Sequence, residues 1–376
     1  NYRSFFSQKV VLFYYLSHHL SLFFLKYHLY LMKKKPITIL DIGEELNISA
    51  STVSRALADS SLVNSETKKK VVELAKKYNY QPNFTALSLQ SNSTKTIGVL
   101  IPNVVHEFFG LVLRGVEDHC HSSGYSCIVY PTNEDPDREI SGIKALMTGR
   151  VDGVLLSFRG KTNLHIKQLI ERNIPLVFFD TADESFATHR VLIDDKKAGY
   201  LATKHLIEVG SKKIGFIGGS ENINNQLRLE GYKQAVSEAG ITIDPQLIVY
   251  SLDKSQDEMG LEDSEKLLSV KGIDGIFATT DMFAVGVLKN LKKINLKCPE
   301  DIAVIGFSNW AISRVYEPSL STVEQPGYEM GIKAAELLID QIKNPETPSD
   351  FKTVLIPTEV IVRTSTARGN NVAHST

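Results

Sequence analysis

The sequence has few cysteines and none of the common catalytic motifs. Cys120, Cys127 and Cys298 are the cysteines of the 376 residues, and no two of them form a CxxC pair. An odd number of separated thiols predicts neither a disulfide framework nor a zinc site, and a reducing cytoplasm is the expected compartment. GxSxG, Walker, HExxH and strand-linked GxGxxG motifs are also missing from the sequence. We therefore expect a protein that is not an enzyme, with no catalytic residues, no metal and no cofactor.

The sequence also lacks an apolar run of membrane-spanning length. Residues 10–25 form an apolar run of 16 residues, whereas a membrane helix needs about 20. No small-residue cleavage site follows this run, which argues against a secretory signal. Because the chain starts at Asn1 and Met32 begins a plausible protein start, we expect residues 1–31 to be a non-native or upstream-translated extension. A membrane anchor is the alternative, but we expect no membrane partner.

Charge is balanced over the whole chain but not within its segments. The sequence has 42 Lys and Arg against 43 Asp and Glu, a formal net charge of -1. Residues 32–92 hold nine basic and six acidic side chains, whereas residues 93–376 hold 30 basic and 37 acidic side chains. A small basic segment before a large acidic body indicates a unit that binds a polyanion.

Residues 36–81 contain three short amphipathic segments. The first begins after Thr38, a favourable N-cap, and Ile39 and Ile42 start its apolar face. Asn47 follows at a corner, where it tolerates the left-handed region better than any other residue except glycine. The pattern predicts a helix that ends in a tight turn.

The second segment has a polar stripe on its outer side. Ser49 is a favourable N-cap for a helix over residues 50–58. At about 100° per residue, Ser51, Thr52 and Arg55 lie opposite the apolar face of this helix. An exposed arginine there can donate two hydrogen bonds to guanine, while hydroxyl groups bind phosphates.

The third segment, residues 65–79, completes a small helical unit. Its apolar residues recur at i, i+3, i+4 and i+7, and five lysines occupy its polar face. Three short helices with a shared core and a cationic exterior are typical of a helix-turn-helix module, whose second helix enters the major groove of DNA. The alternative is a helical bundle with solvated lysines and no DNA-binding role.

Longer sequence patterns in this region are more specific. The segments ITILDIGEELNISASTVSRAL, VNSETKKKVVELAKKYNYQPN and TALSLQS resemble the headpiece of the lactose-repressor (LacI/GalR) family of bacterial transcription regulators, and the resemblance continues to about residue 366. The chain departs from the family pattern at Gly43, Leu46, Asn47 and Asn64. Gly43 replaces an alanine of the pattern, and we expect it to weaken the first helix by about 1 kcal/mol.

The resemblance implies a DNA-binding headpiece at residues 36–81 and a hinge helix and linker at residues 82–92. In the family, hinge helices pair across a homodimer in the minor groove of a palindromic operator, and the leucine that matches Leu89 wedges into a base step. An ordinary linker is the alternative for residues 82–92. The implied DNA-binding residues are Thr38, Ser49, Ala50, Ser51, Thr52, Ser54, Arg55, Asn64, Asn83, Ala86 and Leu89.

Residues 95–366 alternate between apolar runs and amphipathic helical stretches. TIGVLI, SCIVYP, DGVLLSF and PLVFFD lie in the first half, and KIGFIG, LIVYS, DGIFAT and IAVIGF lie in the second. Continuous apolar runs are typical of parallel strands covered by helices on both faces. The fold class is therefore α/β, with two successive doubly wound lobes and a ligand crevice between them.

The resemblance implies that residues 95–366 form an effector-binding and dimerisation domain like the periplasmic sugar-binding proteins. The implied effector-binding residues are Phe108, Phe109, Asp180, Asn224, Arg228, Asp281, Ser308 and Asn309. Arg, Asp and Asn side chains suit the hydroxyl groups of a carbohydrate. Ser308 departs from the family, which usually has Asp there. The alternatives are a surface arginine at Arg228, a helix cap at Asp281 and core packing for Phe108 and Phe109.

These patterns together predict a transcription regulator, most simply a repressor, whose operator affinity responds to a small-molecule effector such as a sugar. The tail at residues 367–376 contains no leucine heptad, so we expect a homodimer without the tetramerising coiled coil of some relatives. A secreted or periplasmic sugar-binding protein without a DNA-binding role is the alternative.

Overall fold

The computed structural model describes residues 37–80, 93–159, 163–219, 222–250, 260–345 and 350–368. The chain divides into two compact units, Asn1–Asn92 and Ser93–Thr376. The predicted extension at residues 1–31, the hinge positions Asn83, Ala86 and Leu89, and the tail from residue 369 lie outside the described residues.

The described residues of the first unit form helices α1 (Ile39–Leu46), α2 (Ala50–Leu57) and α3 (Ser65–Lys77). Thr38 caps α1, because its hydroxyl accepts a hydrogen bond from the Asp41 backbone N–H while its own N–H donates to the Asp41 carboxylate at 2.7 Å. Such a reciprocal pair satisfies two N–H groups that have no partner within a helix. The predicted boundaries of these helices agree with the structure to within two residues.

The turn between α1 and α2 has the predicted backbone conformation. Asn47 has φ 51° and ψ 46°, in the left-handed region. Gly43 has a second role there, because a Cβ added to it would lie 2.7 Å from the carbonyl oxygen of Ile48. Glycine therefore lets the chain pass close to α1 after the corner, besides lowering helix propensity as the sequence predicted. The core beneath the three helices consists of the buried residues Ile42, Val53, Ala56, Val63, Val71, Leu74 and Ala75.

The second unit contains two sheets of six strands each. The strands are β1 (Thr96–Ile101), β2 (Ser126–Pro131), β3 (Gly153–Leu156), β4 (Leu176–Phe179), β5 (His189–Ile193), β6 (Ile214–Gly218), β7 (Ile248–Tyr250), β8 (Gly275–Ala278), β9 (Ala303–Ser308), β10 (Ser321–Glu324), β11 (Thr353–Ile356) and β12 (Val360–Ile361). The order of the first sheet is β11-β5-β4-β3-β1-β2, and the order of the second is β12-β10-β9-β8-β6-β7. All pairs are parallel except β10 with β12.

Helices connect the strands and cover both sheets, as the α/β prediction requires. They are α4 (Glu107–Ser122), α5 (Pro136–Thr148), α6 (Leu164–Glu171), α7 (Asp195–Glu208), α8 (Ile223–Glu238), α9 (Leu261–Leu268), α10 (Asp281–Lys293), α11 (Ala311–Val315) and α12 (Gly327–Lys343), with 3-10 turns at Pro245–Leu247 and Thr364–Thr366. No helix within the described ranges combines the length and the apolar character that a bilayer span requires.

The two lobes are not successive halves of the chain, which corrects the sequence-based prediction. Helix α7 follows β5 of the first sheet but packs on β8, β9, β10 and β12 of the second. Helix α12 follows β10 of the second sheet but packs on β3, β4 and β5 of the first. The chain crosses between the lobes a third time, between β11 and β12. The first lobe therefore contains α12 and β11 from the second half of the sequence, and the second lobe contains α7, which follows the strands of the first half.

Each lobe also contains a pair of helices in close contact through glycines. In the first lobe, a Cβ on Gly115 of α4 would lie 2.1 Å from the Tyr328 carbonyl oxygen of α12. A Cβ on Gly331 of α12 would lie 2.1 Å from the Val112 carbonyl oxygen of α4. In the second lobe, a Cβ on Gly231 of α8 would lie 2.0 Å from the Lys196 carbonyl oxygen of α7. Only glycine permits these backbones to approach so closely.

Gly115→Ala is therefore expected to destabilise the second unit, because its methyl group would overlap the backbone of α12. Overpacking of this kind costs about 1–3 kcal/mol, so the midpoint of thermal unfolding should fall. Gly110→Ala on the same helix is the matched control, since a Cβ there has no atom within 4 Å, and helix propensity should then stabilise by about 1 kcal/mol. Equal midpoints for the two variants in calorimetry would contradict the close-packing argument.

Candidate functional site

The outer stripe of α2 has the predicted exposure. Ser51 and Arg55 are exposed and Thr52 is half-buried, whereas Val53 and Ala56 on the opposite side are buried at 0% and 2% exposure. The apolar pattern fixes this orientation, because Val53 and Ala56 pack into the core of the first unit. The arginine and the hydroxyl groups therefore form the free surface of this helix.

Hydroxyl groups cluster at the start of α2. The Ser49 Oγ accepts a hydrogen bond from the Thr52 backbone N–H at 3.2 Å, and it lies 2.8 Å from both Ser51 Oγ and Thr52 Oγ1. This cluster holds the side chains of Ser51 and Thr52 at the positive end of the helix dipole, where phosphate oxygens bind well. Of the other predicted DNA-binding residues, Thr38 and Asn64 are exposed N-caps of α1 and α3, and Ala50 and Ser54 are half-buried on α2.

The cationic exterior of the first unit is partly neutralised by carboxylates. Lys68 pairs with Asp59 at 2.7 Å, Lys70 pairs with Glu66 at 2.8 Å, and a third pair joins Lys77 and Glu45 at 3.6 Å. Exposed ion pairs of this kind contribute little to stability. They do reduce the positive potential of α3, so Arg55 on α2 and the lysines outside these pairs supply more of the attraction for an anion.

Asp180 lies between the two lobes of the second unit and accepts hydrogen bonds from both. It follows β4 with φ 61° and is 5% exposed. Its Oδ2 accepts from Ser157 Oγ at 3.0 Å, Arg159 Nη2 at 3.0 Å and Thr181 Oγ1 at 3.2 Å. Its Oδ1 accepts from Asn224 Nδ2 at 3.2 Å and from Gln325 Nε2 at 3.4 Å.

The partners of Asp180 come from different regions of the fold. Ser157 and Arg159 follow β3 of the first lobe, Asn224 begins α8 of the second lobe, and Gln325 follows β10. The structure thus brings two predicted effector-binding residues, Asp180 and Asn224, into contact across the cleft. A buried ion pair needs such additional hydrogen bonds, because desolvation otherwise offsets the attraction between the charges.

Arg228 is buried in the second lobe and is not a surface arginine. It is 6% exposed, its Nε donates to Asp195 Oδ1 at 2.7 Å, and its Nη1 donates to the Thr279 carbonyl oxygen at 2.9 Å. The guanidinium carbon lies 3.6 Å from the centre of the Phe307 ring. Burial raises the pKa of Asp195 to about 6, although the Arg228 charge opposes this rise. The surface alternative for Arg228 is therefore wrong.

Asp281 is hydrogen-bonded to the loop that follows β9. It is fully buried, its Oδ1 accepts from Thr322 Oγ1 at 2.6 Å, and its Oδ2 accepts from the Trp310 backbone N–H at 2.6 Å. Burial raises the pKa of this carboxyl to about 7. The geometry gives Asp281 a structural task, and its contact with an effector, expected from the sequence, stays a prediction.

The loop after β9 has a strained backbone with neutral side chains. Ser308 has φ 100° and Asn309 has φ 54°, which are unusual values for residues with a side chain. The Ser308 hydroxyl donates to Gln325 Oε1 at 2.9 Å, and the Asn309 Oδ1 accepts from Arg363 Nη2 at 2.7 Å. Where the family resemblance implies a carboxylate, this chain has a hydroxyl group bound to an amide.

Phe108 and Phe109 lie in the core, while a neighbouring aromatic pair joins the lobes. Both phenylalanines are 4% exposed and pack edge to face at 5.0 Å between ring centres. The adjacent His106 ring lies 4.8 Å from the Trp310 ring of the second lobe. Because the two phenylalanines are buried in the core, their contact with an effector also stays a prediction.

The sequence analysis did not select four residues that the structure places at the cleft. His106, Arg159, Trp310 and Gln325 follow β1, β3, β9 and β10, respectively. Their position was a usable signal, because ligands of doubly wound sheets bind outside the carboxyl ends of the strands. Across the ranges that the structure describes, no group of three or more His, Cys, Asp or Glu side chains could hold a metal ion.

Comparisons with known proteins agree with both units. Residues 38–83 match the family model "Bacterial regulatory proteins, lacI family", and residues 203–366 match "Periplasmic binding protein-like domain". The chain is 33% identical over 332 residues to the HTH-type transcriptional regulator RegA of Clostridium saccharobutylicum, covering 88% of this chain and 99% of RegA. RegA is named as a regulator and not as an enzyme.

Two solved structures are similar over most of the chain. A complex of the transcriptional regulator CelR with cellobiose has a TM-score of 0.65 and 26% identity, covering 88% of this chain and 99% of CelR. A lac repressor dimer bound to its operator has a TM-score of 0.79 and 21% identity, covering 89% of this chain and 100% of that chain, and at this identity it shows the fold alone. Both domains of the chain thus have counterparts within single regulators.

Asp180→Asn is expected to destabilise the second unit, because it leaves the buried Arg159 guanidinium without its counter-charge. Breaking one side of a buried ion pair costs about 3–5 kcal/mol, which denaturant unfolding can measure. Glu336→Gln is the control, since Glu336 pairs with Lys333 on an exposed face of α12 and should contribute less than about 1 kcal/mol. A loss for Asp180→Asn no larger than for Glu336→Gln would show that the Asp180 network is not essential.

Proposed function

The chain belongs to the LacI family of bacterial regulatory proteins, and on this premise we propose that it represses transcription by binding a palindromic operator as a homodimer in the cytoplasm. One observation carries the proposal. Helix α2 buries Val53 and Ala56 and exposes Ser51 and Arg55, which is the arrangement that a recognition helix requires.

In this proposal α2 enters the major groove of each half-site. The Arg55 guanidinium donates two hydrogen bonds to the O6 and N7 atoms of a guanine, and Ser51 and Thr52 contact neighbouring base edges or phosphates. The N-cap residues Thr38 and Asn64 bind phosphates at the helix N-termini. The match of residues 38–83 to the family model of lacI-type bacterial regulatory proteins supports a DNA complex of this kind.

The hinge residues would contact the centre of the operator. Asn83, Ala86 and Leu89 occupy the segment that in the family pairs across the dimer in the minor groove. An apolar side chain such as Leu89 can insert between adjacent base pairs and kink the duplex. These three residues lie in a segment of only seven residues, 83–89, which is too short to be a stable helix alone. Its helical state would therefore depend on DNA and on the hinge of the partner subunit.

The effector would bind in the cleft that Asp180, Asn224 and Arg228 line. Polar side chains from both lobes meet there, which suits a carbohydrate or a derivative of one. The CelR structure contains cellobiose, which supports this ligand class. An effector that prefers one relative position of the lobes would change the spacing of the hinges, and such coupling is typically worth about 1–3 kcal/mol.

Arg55→Ala is expected to relax base preference at one position of each half-site at a cost of about 1–3 kcal/mol. Lys69→Ala is the matched control, because this exposed lysine of α3 should contact phosphates and its loss should weaken all sequences equally. Both effects can be measured by competition between operator variants at fixed salt. A loss from Arg55→Ala that is the same for all sequences would refute the base-reading role.

Operator binding and effector binding can be tested together on the full chain. Genomic fragments are first selected for salt-sensitive binding to a two-fold symmetric site, and mono- and oligosaccharides and their phosphates are then screened for a rise in the unfolding midpoint. We expect a compound that raises the midpoint to change operator affinity by about 5- to 150-fold. Failure to prefer any symmetric site, with or without these compounds, would overturn the proposed function.

A further inference from the structure

The carboxylates at the cleft already have hydrogen-bond donors. Asp180 accepts from five side chains, Asp195 accepts from Arg228, and Asp281 accepts from Thr322 and the Trp310 backbone. Glu324, beside the Ser308 loop, accepts from the Asn309 amide. A ligand hydroxyl that needs an acceptor would have to compete with these internal donors.

Two buried N–H groups at the cleft have no acceptor among the residues that the structure describes. They are Arg159 Nε and Trp310 Nε1, and Trp310 is only 8% exposed. The His106 ring packs against Trp310 at 4.8 Å, and the charges of Glu134, Asp180 and Arg159 influence the pKa of its imidazole. Burial is the main cause of the lowered pKa of His106, and it disfavours the charged imidazolium. Buried donors without partners are rare in native proteins, and a ligand is one way to satisfy them.

Arg159 can bind a ligand without disrupting its own contacts. Its Nη1 donates to Thr181 Oγ1 and its Nη2 donates to Asp180 at 3.0 Å, which leaves the Nε–H available. The Nε–H can therefore bind a ligand while Nη1 and Nη2 keep their partners and Asp180 keeps all five of its donors. The side chain is 12% exposed, and a charge-assisted hydrogen bond is strong where water is excluded.

The loop after β9 removes an acceptor from the same region. Ser308 stands where the family resemblance implies aspartate, and its hydroxyl donates to Gln325. The Gln325 amide in turn donates to Asp180. Because position 308 is a serine, it has no ionised side chain. Of the buried polar atoms without a partner at these strand ends, among the described residues, Arg159 Nε and Trp310 Nε1 only donate, and Thr279 Oγ1 can donate or accept. At position 308, a carboxylate that would repel an anion has been replaced.

We propose that the effector is an anionic carbohydrate derivative whose carboxylate or phosphoryl oxygens accept hydrogen bonds from Arg159 Nε and Trp310 Nε1. This inference rests on the proposed function, because it names the chemical class of the effector. An anionic oxygen brings acceptors and no hydrogen, which matches unpartnered donors, whereas each hydroxyl group of a neutral sugar also brings a hydrogen that needs an acceptor. Arg159 and Trp310 are thus specificity-determining residues in addition to those that the sequence predicted.

The test compares acids with their neutral parents on the full chain. Isothermal titration calorimetry would measure the dissociation constants of two series of compounds. The first is glucose, glucuronate and glucose 6-phosphate, and the second is ribose, ribonate and ribose 5-phosphate. Inorganic phosphate alone is a further probe. We expect at least one acid to bind at least about tenfold more tightly than its neutral parent. The uronate and aldonate arms distinguish a carboxylate from a phosphoryl group, and inorganic phosphate shows whether the anion alone suffices.

Two variants test whether Arg159 Nε and Trp310 Nε1 cause the tighter binding of an acid than of its neutral parent. Arg159→Gln removes the charge, and Trp310→Phe keeps the aromatic contact with His106 but removes the N–H, so each should reduce the preference for the acid about tenfold. Trp310→Phe keeps the test decisive if Arg159→Gln fails to fold. Arg114→Gln is the matched control, because this exposed arginine of α4 pairs with Asp118 at 4.0 Å and should leave the preference unchanged.

Three results would overturn the inference: neutral parents that bind as tightly as their acids, an acid preference that survives in both variants, or no binding by any acid of the panel. Operator binding in the same preparations separates this failure from failure of the proposed function. If a neutral sugar releases a symmetric operator, only the anionic effector is refuted. If no symmetric site is preferred under any condition, the proposed function fails with it.

Discussion

A single buried carboxylate, that of Asp180, joins the two lobes of the second unit. Its carboxylate accepts from donors in the segment after β3, in α8 and in the segment after β10, and one of these donors carries a positive charge. Such a carboxylate needs several donors, because an ionised group without partners in a low dielectric is costly. The relative position of the lobes and the shape of the cleft therefore depend on the same few hydrogen bonds.

Most of the strands that the sequence predicted have one uniform environment, although the edge strand β2 has no buried residue. TIGVLI and PLVFFD contain β1 and β4, which are buried along nearly their whole length, so a continuous apolar run predicted them. β5 was missed because its residues alternate between buried and half-buried, and β10 was missed because its sequence STVE is polar although three of its four residues are buried. The headpiece was easier, since its helices have caps and apolar spacing that are local properties.

The residues between the two lobes could be predicted only where the family resemblance named them. It supplied Asp180, Asn224 and Arg228, which the structure brings to the cleft, but it did not supply Arg159, Trp310 or Gln325. Their roles depend on contacts between distant segments of the chain, and Gln325 donates to Asp180 across 145 residues. Local periodicity contains no information about such pairs, because they form only when the chain has crossed between the lobes.

The three crossings also restrict how the gene for such a protein can be cut and recombined. Neither lobe is encoded by one continuous stretch, since α12 and β11 complete the first sheet after most of the second has been made. A break at either of the first two crossings would separate the first sheet from α12, and a break at the third would separate the second sheet from β12. Exchange of ligand preference between relatives therefore requires either several matched segments or point changes at the strand ends.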